Sequence, residues 1–216
     1  MCGIFGIFGD EHAAAMAHLG LYSLQHRGQE SSGIVAVDRE LGAKSIKRMG
    51  LVSDFAAPDV ALLRGDIAIG HTRYSTAGSS TIENAQPVVA RFRDGTIALA
   101  HNGNLTNASE LRRELEDAGS IFSSTMDSEV LVHRLARSSA TKPEEQLADA
   151  LRGVEGAYCL VVVVGKTLLA ARDPRGWRPL VMGRLGDATV FASESCALDL
   201  LGATLEREVE RGELIA

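Results

Sequence analysis

The sequence predicts an α+β fold of antiparallel sheets covered by helices. Strand-like stretches gather at both ends of the 216-residue chain and helical stretches gather in its middle. That blockwise order disfavours a doubly wound parallel sheet, which needs strand and helix in strict alternation. No repeat, low-complexity tract or Pro/Ser-rich linker divides the chain, so residues 1–216 are expected to form one domain.

The first strand is expected over residues 3–8, where Ile4, Phe5, Ile7 and Phe8 are separated by glycines that permit close backbone approach. A helix is expected over residues 12–25, because Ala13, Met16, Ala17, Gly20, Leu21 and Leu24 recur on one face. His26, Arg27 and Gly28 read as its C-terminal stop. Residues 34–37, 45–48, 67–70 and 97–100 read as short strands. Asn107, three residues before Glu110, is a capping-box-like start for a helix with Leu111, Leu115 and Ala118 on one face and a stop at Gly119. Further helices are expected over residues 128–137 and from Pro143, whose fixed φ suits a first turn. The apolar, β-branched run 157–164 and the shorter 168–171 and 190–192 read as strands, followed by a short helix over 197–201.

Hydrophobic residues make up 45% of the chain and charged residues 23%, enough for a full-sized core. A formal net charge of −6 gives no electrostatic reason to expect nucleic acid or an anionic membrane as partner, so a small ligand is expected. The three cysteines, Cys2, Cys159 and Cys196, are too few and too scattered for a disulfide framework or a zinc site. A reduced, cytoplasmic protein without a metal is the expectation, with Cys159 and Cys196 filling core space. The opening MCGIFGIFGD lacks a basic leader, and no stretch approaches the roughly 20 apolar residues of a membrane span.

Cys2 is the residue with the most chemistry to offer. Removal of Met1 would leave its thiol beside its own α-amine, whose ordinary pKa of about 7.7 to 8.0 suits a base and later a proton donor. Alone, a cysteine at position 2 is more often a small apolar residue at a frayed end. An apolar strand beginning at Gly3 would instead fix that end. Acyl transfer at an amide also needs donors aimed at the developing oxyanion. Asn102 and Gly103, in His101-Asn102-Gly103-Asn104 just after a strand, can offer a side-chain amide and a backbone N–H, although Asn-Gly-Asn is also an ordinary turn sequence. An amino-acid substrate needs both its charged groups paired. Arg73 can grip a carboxylate with two parallel bonds and Asp127 can receive an ammonium, each against the plainer reading of a surface ion pair. His71 and His101 are read as hydrogen-bonded structural histidines, and the terminal place of Cys2 argues against a Cys–His pair.

Taken together, MCGIFGI, LQHRGQESSGI, GLVSD, GHTRYSTAGSS, ENAQP, LAHNGNLTNASELR, DSEVL, DPRGWRPL and FASESCALD resemble the glutaminase domain of class II amidotransferases, the amidophosphoribosyltransferase family in particular. The resemblance covers essentially the whole chain. It implies a four-layer αββα sandwich, the N-terminal-nucleophile hydrolase fold, and hydrolysis of glutamine through a Cys2 thioester. Position by position, it implies Cys2 as nucleophile, Asn102 with Gly103 as oxyanion hole, and Arg73 and Asp127 as ligands of the α-carboxylate and α-ammonium. Thr76, with the loop from Arg73 through Tyr74 to Ser80, would close over substrate. Arg27 and Gly28 would support the terminus, against the plainer reading of Arg27 as a helix cap. Met126 departs from the family, which has a small polar residue before the aspartate.

The same resemblance implies a phosphoribosyltransferase domain outside this chain, or a partner chain, that receives the ammonia, and a homo-oligomer when the two belong to one full-length enzyme. Mg²⁺ and, in some relatives, an iron–sulfur cluster would belong to that other portion, leaving no cofactor here. Two rivals stay open: the glutaminase domain of another amidotransferase, such as hexosamine-phosphate synthase, and a non-catalytic module that keeps the fold. Tyr74-Ser75-Thr76 and DPRGWRPL favour the amidophosphoribosyltransferase family, which the resemblance ties to the first committed step of purine nucleotide synthesis, over the first, and the presence of Cys2 and Asn102 weighs against the second.

Overall fold

The structure is a computed structural model of the chain, described here for residues 1–38, 42–74 and 79–216. The order is β1 (Gly3–Phe8), α1 (Ala13–Ser23), β2 (Ser31–Asp38), β3 (Gly42–Met49), α2 (Ala57–Ala61), β4 (Ile67–Arg73), β5 (Val88–Phe92), β6 (Gly95–Leu105), α3 (Ala108–Asp117), α4 (Glu129–Arg137), α5 (Pro143–Leu151), β7 (Gly156–Val164), β8 (Thr167–Arg172), β9 (Val181–Leu185), β10 (Ala188–Ala192), α6 (Cys196–Leu201), β11 (Thr204–Glu208) and β12 (Leu214–Ile215). The strands form a seven-stranded sheet, β11-β9-β10-β1-β4-β2-β3, and a five-stranded sheet, β12-β8-β7-β6-β5. Every pairing between these strands is antiparallel.

Three apolar clusters show how the layers stack. One joins α1 and α6 to the outer face of the larger sheet through Phe5, Leu21, Ile34, Val190 and Leu198. A second joins α3, α4 and α5 to the outer face of the smaller sheet through Leu111, Leu131, Leu147, Leu99 and Leu160. Between the sheets lies the third, with Ile4, Val35 and Ile69 against Ala100, Val161 and Ala170. The result is the αββα sandwich, and strand parity explains its sequence: Leu160, Val162 and Val164 of β7 face helices while Cys159, Val161 and Val163 face the other sheet. A strand buried on both sides has no polar face, hence the unbroken apolar run.

Several boundaries differ from expectation, for local reasons. The first helix stops at Ser23, and residues Gln25–Arg27 form a tighter 3-10 turn. Gly28 is not a left-handed cap but extended, with φ −168°. A side chain there would meet the backbone of Arg73, since an added Cβ would lie 2.5 Å from the Arg73 carbonyl carbon. Asn107 stands at the N-cap of α3, the expected start of that helix, but its side chain makes no capping hydrogen bond. Its amide instead ties the loop before β7, with Nδ2 donating to the Gly153 carbonyl at 2.9 Å and Oδ1 accepting from the Glu155 N–H at 3.0 Å. Pro143 does open α5. The sequence did not announce α2, β5, β9, β11 or β12.

Candidate active site

Strand parity places the site. In β1, Phe5 and Ile7 face α1 while Ile4 faces the other sheet, so Cys2, two residues earlier, stands on the inter-sheet side. By the same count Ile67 and Ile69 put Arg73 on that side in β4, and Ala98 and Ala100 put Asn102 there in β6. The two sheets are tied at this end by the ring of His71, whose Nε2 donates to the His101 carbonyl at 3.0 Å. Asn102 does not follow the strand as expected: β6 runs on through His101-Asn102-Gly103-Asn104, paired along β7 as far as Leu105 opposite Gly156. Gly103 is required by that pairing, because an added Cβ would lie 2.0 Å from the Ala157 carbonyl oxygen. Asn102 is 1% exposed, and its Nδ2 is buried without a hydrogen-bond partner among the described residues. An unpaired buried donor costs free energy, so this amide is an unused hydrogen-bonding capacity on the side of the sheet that faces the other sheet, the side on which Cys2 also stands.

The terminus is clasped. The Gly3 N–H donates to Thr72 Oγ1 at 3.2 Å and the Ile4 N–H to Ser193 Oγ at 3.0 Å. Arg27 donates from Nε to the Cys2 carbonyl at 2.8 Å and is ion-paired with Glu194, which also meets His26 Nε2 at 3.0 Å. Burial pushes the Cys2 thiol up, offset in part by the Tyr74 backbone and by the positive charges of the chain terminus and Arg73. The thiol lies 3.6 Å from the Tyr74 carbonyl oxygen, while the Tyr74 side chain is exposed. The chain described here carries Met1, so the Cys2 nitrogen belongs to a peptide bond.

Arg73 is buried, with Nη1 donating to Glu30 at 2.6 Å and to the Ser79 carbonyl at 3.1 Å. Asp127 accepts the Leu105 N–H at 2.8 Å through Oδ2, and its Oδ1 lies 3.6 Å from His101 Nδ1. Burial alone would raise the Asp127 carboxyl, but His101 and the amides of Leu105 and Ser128 hold it below the ordinary carboxylate range. Both charges act on the Cys2 thiol, which places Arg73 and Asp127 within electrostatic reach of it. Thr76 lies outside the described residues. Met126 is buried in the cluster under α3 and α4. Among the described residues no group of three or more His, Cys, Asp or Glu is arranged to hold a metal ion, and no helix is long and apolar enough to cross a membrane. Sequence reading passed over Thr72, Ser193, Glu194 and Glu30. All four lie in motifs quoted above, but nothing in a polar residue type alone announces which backbone or charged group it holds.

A four-layer αββα sandwich that presents a cysteine at the start of a central strand, at the mouth of the inter-sheet space, has the N-terminal-nucleophile hydrolase fold. Residues 71–200 match the family described as the glutamine amidotransferase domain, and the chain belongs to that family. It is 51% identical, over 99% of its length and 38% of the relative, to amidophosphoribosyltransferase 2, chloroplastic, of Arabidopsis thaliana. It is 46% identical, over 99% of its length and 45% of the relative, to the amidophosphoribosyltransferase of Bacillus subtilis. The solved structure of glutamine phosphoribosylpyrophosphate amidotransferase from B. subtilis, complexed with ADP and GMP, superposes with a TM-score of 0.92 at 45% identity, covering 99% of this chain and 46% of that one. The chain thus spans less than half the length of these relatives.

Proposed function

We propose that this chain, once Met1 is removed, hydrolyses the side-chain amide of glutamine and supplies the ammonia to a phosphoribosyltransferase domain or partner chain, as in amidophosphoribosyltransferases. In this reading residues 1–216 are the glutaminase domain of such an enzyme. The observation that carries it is that Cys2 and the Asn102 amide, partnerless among the described residues, lie on the same inter-sheet side, with one buried cation, Arg73, and one carboxylate, Asp127, in electrostatic reach of the thiol.

The Cys2 α-amine takes the thiol proton and the sulfur attacks the amide carbon. Negative charge moves to the carbonyl oxygen, where Asn102 Nδ2 and the Gly103 N–H donate to it. The resulting α-ammonium protonates the departing nitrogen, ammonia leaves, and a Cys2 thioester remains. Water, deprotonated by the same amine, adds to the thioester; collapse restores the thiol and releases glutamate. Arg73 and Asp127 hold the α-carboxylate and α-ammonium of glutamine, placing the amide over the sulfur. The chain's own residues perform every step without a cofactor.

Intact mass and peptide mapping, before and after a glutamine-mimicking chloroketone, test the reading. Expected are loss of Met1, a single adduct on Cys2, and ammonia release that Cys2→Ala abolishes. A methionine-free chain that neither turns over glutamine nor takes the label would overturn it. Adding phosphoribosyl pyrophosphate to the chain mixed with its transferase partner should stimulate ammonia release; no stimulation would count against the purine assignment.

A further inference from the structure

Glutamine's two charged groups have a fixed separation, so the segments carrying Arg73 and Asp127 must be held relative to each other. The described structure contains one buried side chain that spans them. Asn84 ends the 3-10 turn Ile82–Asn84 and is 2% exposed. Its Nδ2 donates to the Ser79 carbonyl at 2.7 Å and to Thr125 Oγ1 at 2.8 Å, while Oδ1 accepts the Thr125 N–H at 3.0 Å. The same Ser79 carbonyl accepts Arg73 Nη1 at 3.1 Å, and the Ser79 N–H reaches Thr125 Oγ1 at 3.4 Å. Thr125 stands two residues before Asp127 in the segment that leads into α4. A surface asparagine in a turn usually bonds its own nearby backbone. This one gives one amide hydrogen to the Ser79 carbonyl and spends the other, with its oxygen, on Thr125, 41 residues away in sequence.

We propose that Asn84 is a positioning residue, fixing the separation of Arg73 from Asp127 and thereby setting the affinity for glutamine rather than the rate of the chemistry at Cys2. The proposal rests on the reading of Arg73 and Asp127 as ligands of the amino-acid head group. Removing the Asn84 amide leaves the part-buried Thr125 N–H without its acceptor and the Ser79 carbonyl without one of its two donors. Both segments then relax, and a small displacement of a clamp weakens binding of a ligand that needs both ends at once.

The test uses the full methionine-free chain. Asn84→Ala and Thr125→Val should each raise the KM for glutamine about tenfold or more while changing kcat less than about threefold, and Thr125→Ser, which keeps the hydroxyl, should stay within about twofold of wild type. Iodoacetamide, which needs no head-group site, should label Cys2 at the wild-type rate in every variant. The glutamine-mimicking chloroketone should require about tenfold more reagent in the first two. An unchanged KM, or equal losses of both labelling reactions, overturns the proposal, the second result marking general loosening of the site. If Asn84→Ala does not fold, Asn84→Asp carries the test beside Thr125→Val: it keeps the acceptor for the Thr125 N–H, offers no donor to Ser79, and should reproduce the raised KM. Wild-type chain inert to both glutamine and chloroketone brings down the glutaminase reading and this proposal together, whereas active wild type with unchanged variants brings down this proposal alone.

Discussion

Arg27 donates to the carbonyl oxygen of Cys2 at 2.8 Å from a side chain that is 4% exposed. Chain ends ordinarily fray. Here the carbonyl of residue 2 and the N–H groups of residues 3 and 4 are each taken by a side chain from a different part of the chain: Arg27, Thr72 and Ser193. The thiol therefore inherits its position from the sheet and not from its own short tether.

Arg27→Ala should lower stability by about 1.5 to 3 kcal/mol, the range for losing hydrogen bonds to a charged group. The Glu194 side chain is 35% exposed, so solvent screens most of the ion pair and the bond to Cys2 dominates. Arg27→Lys cannot reach the Cys2 carbonyl and Glu194 with the same planar fork and should recover less than half of the loss. Urea unfolding reads the stability and ammonia release the activity; an Arg27→Ala chain with wild-type turnover would rule out any part for this contact in holding the nucleophile.

The cysteines should separate by pH. Burial lifts the Cys2 thiol above its ordinary range and pushes the fully buried Cys159 up to about 12. A raised pKa leaves less thiolate at any given pH. In the chain that keeps Met1, alkylation of Cys2 by iodoacetamide should therefore rise with pH through a midpoint above the free-thiol value of about 8.5. Cys159 should stay unmodified throughout. Peptide mass mapping across a pH series would show it, and a Cys2 midpoint below that of free cysteine would contradict the buried setting described here.

Glu129 is a buried anchor for the segment that carries Asp127. Its two oxygens accept the N–H and hydroxyl groups of Ser123 and Ser124 at 2.5 to 2.8 Å. Burial alone would raise this carboxyl, but those donors outweigh it and the pKa is lowered. Its stabilising contribution is present above the unfolded value, about 4.3, and is lost as pH falls through the lower folded value. Glu129→Gln should cost about 1.5 to 3 kcal/mol at pH 7 and progressively less below about pH 4. Equal stability deficits at pH 7 and at acid pH would refute the assignment of the ionised form.

What the sequence made legible follows from what each residue answers to. The first strand, the β7 run and the helices with one apolar face obey burial, which a linear pattern records. β11, Thr204–Glu208, is exposed along its length and pairs through its backbone with β9, so no apolar period marks it. His101-Asn102-Gly103-Asn104 has turn-forming residues, yet pairing with β7 keeps it extended. Cys2, Arg73, Asn102 and Asp127 were visible by chemical type. Thr72, Ser193, Glu194 and Asn84 were not, because their work is to hold backbone and neighbours that only the fold brings near.

His71 carries the last expectation. It is fully buried between the sheets, its Nε2–H donates to the His101 carbonyl, and its Nδ1 has no partner among the described residues. Burial is the main cause that pushes its pKa down to about 3, against the opposing bond to His101. The native ring is thus neutral where the unfolded ring, at about 6.5, already binds a proton. Below about pH 6.5 the unfolded state holds more protons, so this histidine withdraws stability as pH falls from about 6.5 toward about 3, by up to about 1.4 kcal/mol per pH unit. His71→Gln keeps an amide donor for the His101 carbonyl and removes the titration. Its unfolding free energy should therefore fall less steeply than that of wild type between about pH 6 and pH 4, the other histidines cancelling in the comparison. Parallel slopes would mean that His71 takes up a proton in the folded state, and that the tie between the two sheets at the mouth of the site is made by a charged ring.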